Sequence, residues 1–362
     1  MNVIYTYDIF SAQKYGGISR YFFELIKRIS RSEVNIRVFA GLYINEYIKS
    51  LPIIRGVKVP SIKHTRIILK RINELFQGVM LQGCDNETIV HQTYYHRFTP
   101  KKKVKYVVTV YDMIHECFPK YFPALDKTSD LKRQCCKRAD KIIAVSKSTK
   151  KDLVSLFGID PERIIVIYLG SSLNDNVPDS NADVFPEPYL LYVGRRGGYK
   201  NFDSVLQAFS QSNALKDNFH LICFGGGSFD VSEKIKLKRL GVAGHVHQVT
   251  GNDELLVSYY RNASTFILPS LYEGFGIPLL EAMSLSCPVI CSKSSSIPEV
   301  VGDAGIYFEP NSISSIQNAL EDTLFNESLV ADMKKRGVQR ASIFSWDKCA
   351  SETSSVYRSL LS

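Results

Sequence analysis

No cysteine in this chain stands three positions from another, and no aspartate stands two positions from another. No apolar run approaches the ~18 residues that a membrane span requires. Each absence excludes something. Eight cysteines without a Cys-x-x-Cys, one adjacent pair at Cys135 and Cys136 among them, give neither a disulfide framework nor a zinc knuckle, so buried, reduced thiols are expected. His245 and His247 would share one face of a strand, but no acid or cysteine lies near them at metal-ligand spacing, and they read as strand-edge residues. The 19 aspartates form no Asp-x-Asp for Mg²⁺, so phosphate chemistry would rest on cationic side chains and helix N-termini, with no metal and no cofactor. No strand is followed by Gly-x-Gly-x-x-Gly, which disfavours a nicotinamide dehydrogenase. The start, MNVIYTYDIF, has no basic leader and meets Asp8 early; it reads as a first strand rather than a signal peptide, and the chain is expected in the cytosol.

What is present is enough for two cores. A length of 362 residues exceeds the usual limit for one. Charge divides unevenly: residues 1–170 hold 29 Lys and Arg against 15 Asp and Glu, a balance of +14, and the rest hold 16 against 21, a balance of −5. Only the first half therefore suits a polyanion, whether nucleic acid, anionic membrane surface or phosphorylated substrate. Apolar runs at 3–7, 36–40, 88–92, 106–111, 141–145 and 164–169 predict strands, with helical patterns between them such as 19–31 and 148–157. The second half repeats the alternation, with strands at 189–193, 221–224, 245–250, 265–268, 288–291 and 306–308 and helices at 201–212, 253–261, 278–286 and 312–325. Such an order predicts an α/β chain of two doubly wound parallel domains, 1–170 and 189–345, whose strand ends would flank a central cleft. The segment 171–188, rich in Ser, Asn, Asp and Pro, is the linker.

Five stretches carry chemistry. In LYEGFGIPLLEAMSLSCPVICS, Glu273 falls in a loop and Glu281 in the first turn of a helix that Pro278 opens. Gly274, Phe275 and Gly276 lead to that helix N-terminus, whose free N–H groups favour an anion. Carboxylates beside an anion site suit sugar hydroxyls; the alternative is a dipole partner and a solvated loop acid. In YVGRRGGYKNF, Arg195, Arg196 and Lys200 surround a glycine turn that can clamp a diphosphate or simply be a solvated basic turn, with Asn201 placed to cap the next helix. In QKYGGISRYFFE, Gly16 and Gly17 offer backbone N–H groups to phosphate or form a plain βα turn. In VVTVYDMIHECFP, Asp112 and His115 stand where a strand ends; the histidine can relay a proton or be a satisfied core residue. Residues 61–82, SIKHTRIILKRINELFQGVMLQ, space Ile68, Ile72, Leu75, Phe76, Val79 and Met80 as one helical stripe beside Lys63, Arg66, Lys70 and Arg71. The stripe rests on an anionic leaflet or packs in its own domain.

These blocks, with RADKIIAVSKSTKKDL, RIIVIYLG and FSWDKCASETSSVY, resemble the retaining GT-B glycosyltransferases of the family-4 type over nearly the whole chain. The resemblance implies the GT-B fold, in which two Rossmann-like domains bind acceptor (first) and donor (second), and the segment 346–362 returns to the first. It implies that Glu281 bonds the nucleotide ribose, Glu273 contacts the transferred sugar, and Lys200 with Arg195 or Arg196 holds the diphosphate. His115 corresponds to the residue beside the sugar, although Tyr111 stands where many relatives place that histidine. The wording is most similar to bacterial O-antigen and capsule mannosyltransferases. The expected activity is therefore metal-independent, retaining transfer of a hexose, mannose from GDP-mannose, to a polyprenyl-diphosphate-linked oligosaccharide at the inner face of the cell membrane, with no nucleic acid involved. A UDP- or dTDP-sugar donor, or a hydrolysing nucleotide-sugar epimerase, are the alternatives.

Overall fold

The computed structural model describes residues 1–31, 34–60, 65–81, 84–97, 104–173 and 184–361. The chain divides into two compact units, Met1–Leu169 with Trp346–Ser362, and Gly170–Ser345.

The first unit is a seven-stranded parallel sheet. Its strands are β1 (Asn2–Tyr5), β2 (Asn35–Tyr43), β3 (Ile54–Lys58), β4 (Thr88–Gln92), β5 (Lys105–Val110), β6 (Lys141–Ala144) and β7 (Ile164–Val166), in the order β3-β2-β1-β4-β5-β6-β7. Strand β3 departs from the sequence expectation. It is a mostly exposed edge of low apolar content, and its register on β2 shifts between Phe39 and Gly41. A Cβ on Gly56 would lie 2.4 Å from the Gly41 carbonyl, so the two backbones meet only because glycine stands there. Over one face of the sheet, Tyr5, His91 and Tyr357 are fully buried. The His91 imidazole meets the Tyr357 hydroxyl (2.6 Å) and the Thr109 hydroxyl (2.9 Å), and Tyr357 meets Tyr5 (2.9 Å). Tyr357 belongs to the helix Trp346–Ser359, which also packs Trp346 beside Tyr21 and pairs Asp347 with Arg28.

The helix Thr65–Met80 turns an unexpected face to the unit. It buries Leu69, Asn73 and Gln77, and the Asn73 amide bonds both the N–H and the carbonyl of Leu42. Leu75, Phe76 and Val79 stand outward, 76%, 57% and 65% exposed, with Lys70 and Arg71 exposed beside them. Of the apolar stripe, Leu75, Phe76 and Val79 are thus not part of this unit's core, Ile72 is half-buried, and the side chains of Ile68 and Met80 lie outside the described residues. Lys63 lies outside the described residues, as does the side chain of Arg66.

The second unit is a six-stranded parallel sheet of β8 (Tyr189–Val193), β9 (His220–Phe224), β10 (Val246–Val249), β11 (Thr265–Leu268), β12 (Val289–Ser292) and β13 (Ile306–Phe308), in the order β10-β9-β8-β11-β12-β13. Its core is apolar: Leu190, Cys223, Ile267 and Ile290 of the sheet meet Val205, Phe209 and Leu320 of the covering helices. The eight cysteines are free; six are buried, Cys84 is partly so, and Cys117 is exposed, contrary to the expectation for it. Among the described residues, no helix is long and apolar enough to cross a membrane.

Candidate functional site

In the second sheet the chain winds outward in both directions from the β8–β11 pair, so a crevice forms beyond their carboxyl ends. The two loops that follow these strands carry most of the candidate residues, and a backbone bond from Leu271 N–H to the Tyr199 carbonyl (2.8 Å) joins them. Lys200 ends the turn after β8, and its ammonium donates to Glu273 Oε1 at 2.7 Å. The Ser270 hydroxyl donates to the same oxygen at 2.6 Å. Both charged side chains are partly reached by water, at 26% and 12% exposure. The ammonium and the carboxylate form a partly buried pair, each with some surface still open to water.

The Glu273 loop is fastened from β12's side. Ser295 Oγ accepts from the Glu273 N–H (2.8 Å) and donates to its carbonyl (2.9 Å), and Ser296 Oγ donates to the carbonyls of Glu273 and Phe275. Gly276 then turns the chain with φ +99°, which a side chain would strain, into the helix Ile277–Ser284. The helix opens one residue before Pro278. Glu281 is consequently its fifth residue, one position deeper than expected, and is 7% exposed. The Tyr260 hydroxyl donates to Glu281 Oε2 at 3.3 Å. Burial, then the Glu281 charge, holds the tyrosine well above its usual titration range, so it stays a donor.

The two arginines after β8 differ completely. Arg195 is exposed. Arg196 is buried, and its guanidinium donates to Glu233 Oε1 (2.7 Å) and Oε2 (3.2 Å) and to the carbonyls of Gly225 (3.2 Å), Gly227 (2.9 Å) and Ser228 (3.4 Å). Phe229 lies 4.7 Å from it. The expectation that either arginine could clamp a diphosphate is therefore corrected for Arg196, whose donors already brace the loop after β9. Asn201 needs a second correction. Its backbone is left-handed (φ 55°), which asparagine tolerates, and its amide does not cap the next helix. It donates instead to the Pro269 (3.2 Å) and Pro310 (2.8 Å) carbonyls, fixing the turn that carries Lys200.

In the first unit, Gly16 and Gly17 begin the helix Gly17–Ile29 after β1. The Gln13 carboxamide fills the space beside Gly16 and accepts from the Ser19 N–H at 3.2 Å, so part of this expected phosphate cradle is taken by the chain's own amide. Asp112 and His115 follow β5, but they do not bond each other as an acid–histidine pair would. Asp112 Oδ1 accepts from the Ile114 N–H (3.1 Å). His115 stacks on Phe122 at 3.8 Å between ring centres, and its Nε2 lies 3.9 Å from Asp126. Burial, then the nearby Lys132 charge, pushes the His115 pKa down, so the ring is neutral at pH 7.

Ser270, Ser295, Ser296, Tyr260 and Lys132 had no signal in the sequence. A serine-rich loop after a strand looks like any turn, and a lysine among lysines looks solvated. His247 meets His220 at 3.0 Å, and His220 pairs with Glu187 at 2.5 Å. Among the described residues, no group of three His, Cys, Asp or Glu is arranged to hold a metal ion.

The family described as Glycosyl transferases group 1 matches residues 177–340, and the family described as Glycosyltransferase Family 4 matches residues 15–174. The chain is 29% identical to O-antigen chain mannosyltransferase B of Escherichia coli, over 95% of this chain and 96% of that one. Among solved structures, it resembles sucrose-phosphate synthase from Thermosynechococcus elongatus (TM-score 0.77, 19% identity, 99% of this chain and 98% of the other). It also resembles WaaG, a glycosyltransferase involved in lipopolysaccharide biosynthesis (TM-score 0.72, 18% identity, 98% and 99%).

Proposed function

Because the chain is a glycosyltransferase of the GT-B fold, related to the family-4 enzymes, we propose that it transfers mannose from GDP-mannose, with retention, to a lipid-linked O-antigen or capsule intermediate. The observation that carries this reading is the Lys200–Glu273 contact at the start of the helix that holds Glu281. Charge of both signs is needed there, because a nucleotide sugar brings both a diphosphate and a hydroxyl-rich ring.

In this proposal Lys200 and Arg195 neutralise the diphosphate, the N–H groups of Gly274, Phe275 and Gly276 add to them, and Glu281 accepts from the ribose. Glu273 accepts from sugar hydroxyls. The bond between the sugar's C1 and the diphosphate oxygen breaks, the acceptor oxygen bonds C1 on the same face, and the acceptor proton passes to the departing diphosphate. No metal is required, as the side-chain cations take its place. Gly16 and Gly17 are proposed to offer backbone N–H groups to the donor's phosphate, and Asp112 and His115 to act on the transferred sugar. Relatedness to a mannosyltransferase supports the choice of sugar.

The outward Leu75, Phe76 and Val79 stripe, flanked by Lys70 and Arg71, supports a further part of the proposal: this helix rests on an anionic membrane at its cytosolic face, where a lipid-linked acceptor lies.

A thermal-shift screen of GDP, UDP and dTDP tests the donor, since a ligand that binds only the folded state raises Tm. GDP should give the largest shift, with EDTA present. A larger shift with UDP or dTDP would overturn the GDP-mannose assignment; no shift with any of them would overturn the donor site.

A further inference from the structure

Lys132 is the most deeply buried lysine of the described residues, with 1% of its side chain exposed. It lies in the helix Thr128–Arg138, and its ammonium makes contacts in three directions. It donates to the Asp112 carbonyl (2.8 Å) and to Glu116 Oε2 (2.8 Å), and it lies 5.7 Å from the Tyr95 ring centre. Asp112 Oδ1 stands 3.8 Å away. Burying an ammonium is costly, and an apolar side chain of similar volume commonly serves stability as well or better. The ammonium's presence here asks for another reason.

The contacts themselves supply one. Asp112 is the residue at which the chain leaves β5, and Glu116 is the third residue of the short helix Ile114–Cys117. Lys132 bonds both, so it brackets the stretch 112–116, with His115 inside the bracket. The His115 ring has little else to orient it. Its Nδ1 is buried without a hydrogen-bond partner, its Nε2 is 3.9 Å from Asp126, and its face lies on Phe122. Whatever fixes the backbone of 112–116 therefore fixes the imidazole.

We propose that Lys132 is a positioning residue for transfer: it clamps the 112–116 segment so that His115 presents its ring correctly to the sugar being moved. The inference rests on the role given to His115 above. The charge of Lys132 acts in the same direction. The charged groups facing His115 are Asp112 and Glu116 of its own segment, Asp126 from the loop ahead of the helix, and Lys132 from the helix itself. After burial, Lys132 has the largest influence on the ring, and it opposes protonation.

The single variant Lys132→Met strands the Glu116 carboxylate and can fail to fold. The decisive variant is therefore Lys132→Met/Glu116→Gln, which removes both charges. The full chain is assayed by release of nucleoside diphosphate from GDP-mannose, UDP-glucose and UDP-galactose, with a membrane extract of lipid-linked saccharide as acceptor. The three donors keep the choice of sugar from deciding the result. Expected are a Tm near that of the wild type, unchanged KM for the donor, a kcat at least tenfold lower, and an acidic limb of the kcat profile moved to higher pH. The limb moves up because the lysine, the stronger of the two influences on His115, has been removed. A kcat within twofold of wild type with an unmoved limb, while His115→Ala abolishes turnover, overturns the role of Lys132 alone. Unimpaired turnover in His115→Ala overturns the His115 assignment and this inference with it.

Discussion

In the first unit a histidine, three tyrosines and a threonine, His91, Tyr5, Tyr21, Tyr357 and Thr109, are hydrogen-bonded to one another across the buried sheet face. In the second unit, leucine, isoleucine and cysteine side chains fill the core, and the hydroxyl bonds gather instead at the loop ends, at Ser270, Ser295 and Ser296. The contrast separates two ways of holding a site in place. A polar core specifies one packing and is sensitive to protonation, because each of its members must keep its partner. An apolar core is indifferent to pH, and leaves specificity to the few bonds at its rim. The second unit's rim binds Glu273 and Lys200. The first unit's counterpart is the Lys132 bracket beneath His115.

The largest expected effect tests the rim. Lys200→Ala should lower kcat by about 10²–10³-fold with Tm unchanged, because the residue is partly solvated and lies outside the apolar core. Near-normal turnover at saturating donor would remove Lys200 from the chemistry. The adjacent arginines sharpen the same point. Arg196→Leu should cost about 1–3 kcal/mol of stability by removing a buried guanidinium's bonds to Glu233 and to the carbonyls of the loop after β9. Arg195→Leu should leave Tm alone and weaken nucleoside diphosphate binding about tenfold, the value of one charge-assisted contact. Equal Tm losses in the two variants would show that exposure does not separate their roles.

Protonation tests the polar core. Burial depresses the His91 pKa to about 3. The unfolded chain takes up a proton near the usual 6.5 and the folded chain does not, so stability is full above that value and is lost as pH falls toward 3. The slope is at most about 1.4 kcal/mol per pH unit from this residue. Trp346, the single tryptophan of the chain, is buried in the first unit. Its fluorescence midpoint in urea should therefore fall between pH 6.5 and 4.5, and a flat profile would contradict a neutral buried His91. The smallest effect concerns the exposed stripe. Leu75→Ser/Phe76→Ser/Val79→Ser should reduce sedimentation with anionic liposomes without changing Tm or nucleotide binding. Replacing Lys70 and Arg71 with glutamine should remove about 1 kcal/mol each of a salt-sensitive attraction. If the triple variant loses stability, the stripe is packed rather than free.

Twelve of the thirteen strands were legible, because buried parallel strands read as apolar runs between turn signals. Ile54–Lys58 was not, since an exposed edge strand has no such run. The helices Thr128–Arg138, Val231–Arg239 and Glu327–Ala341 were also missed: each is dominated by charged and polar residues, and short buried sets such as Leu237 or Met333 leave a weak period. For the helix Thr65–Met80 the period was readable but its direction was not. The sheet takes Asn73 because the Leu42 backbone needs an amide partner, and that turns Leu75, Phe76 and Val79 out. The Glu273 and Lys200 blocks stood out locally, yet their contact spans 73 positions and has no local trace. The inequality of Arg195 and Arg196 depends on Glu233, 37 residues from Arg196, and only coordinates reveal it.

The helix Trp346–Ser359 closes the core of the unit that the first 169 residues begin. On the ribosome this sets an order. Residues 170–345 emerge with every strand and helix of their own unit already made, while His91 and Tyr5 still wait for the Tyr357 hydroxyl. The half of the protein synthesised first is thus the last able to finish folding, an inversion of the usual N-terminal-first sequence. Until that helix arrives, the nascent first unit leaves the surface that Trp346, Val356 and Tyr357 cover exposed, and transiently exposed core surface of this kind is what chaperones shield.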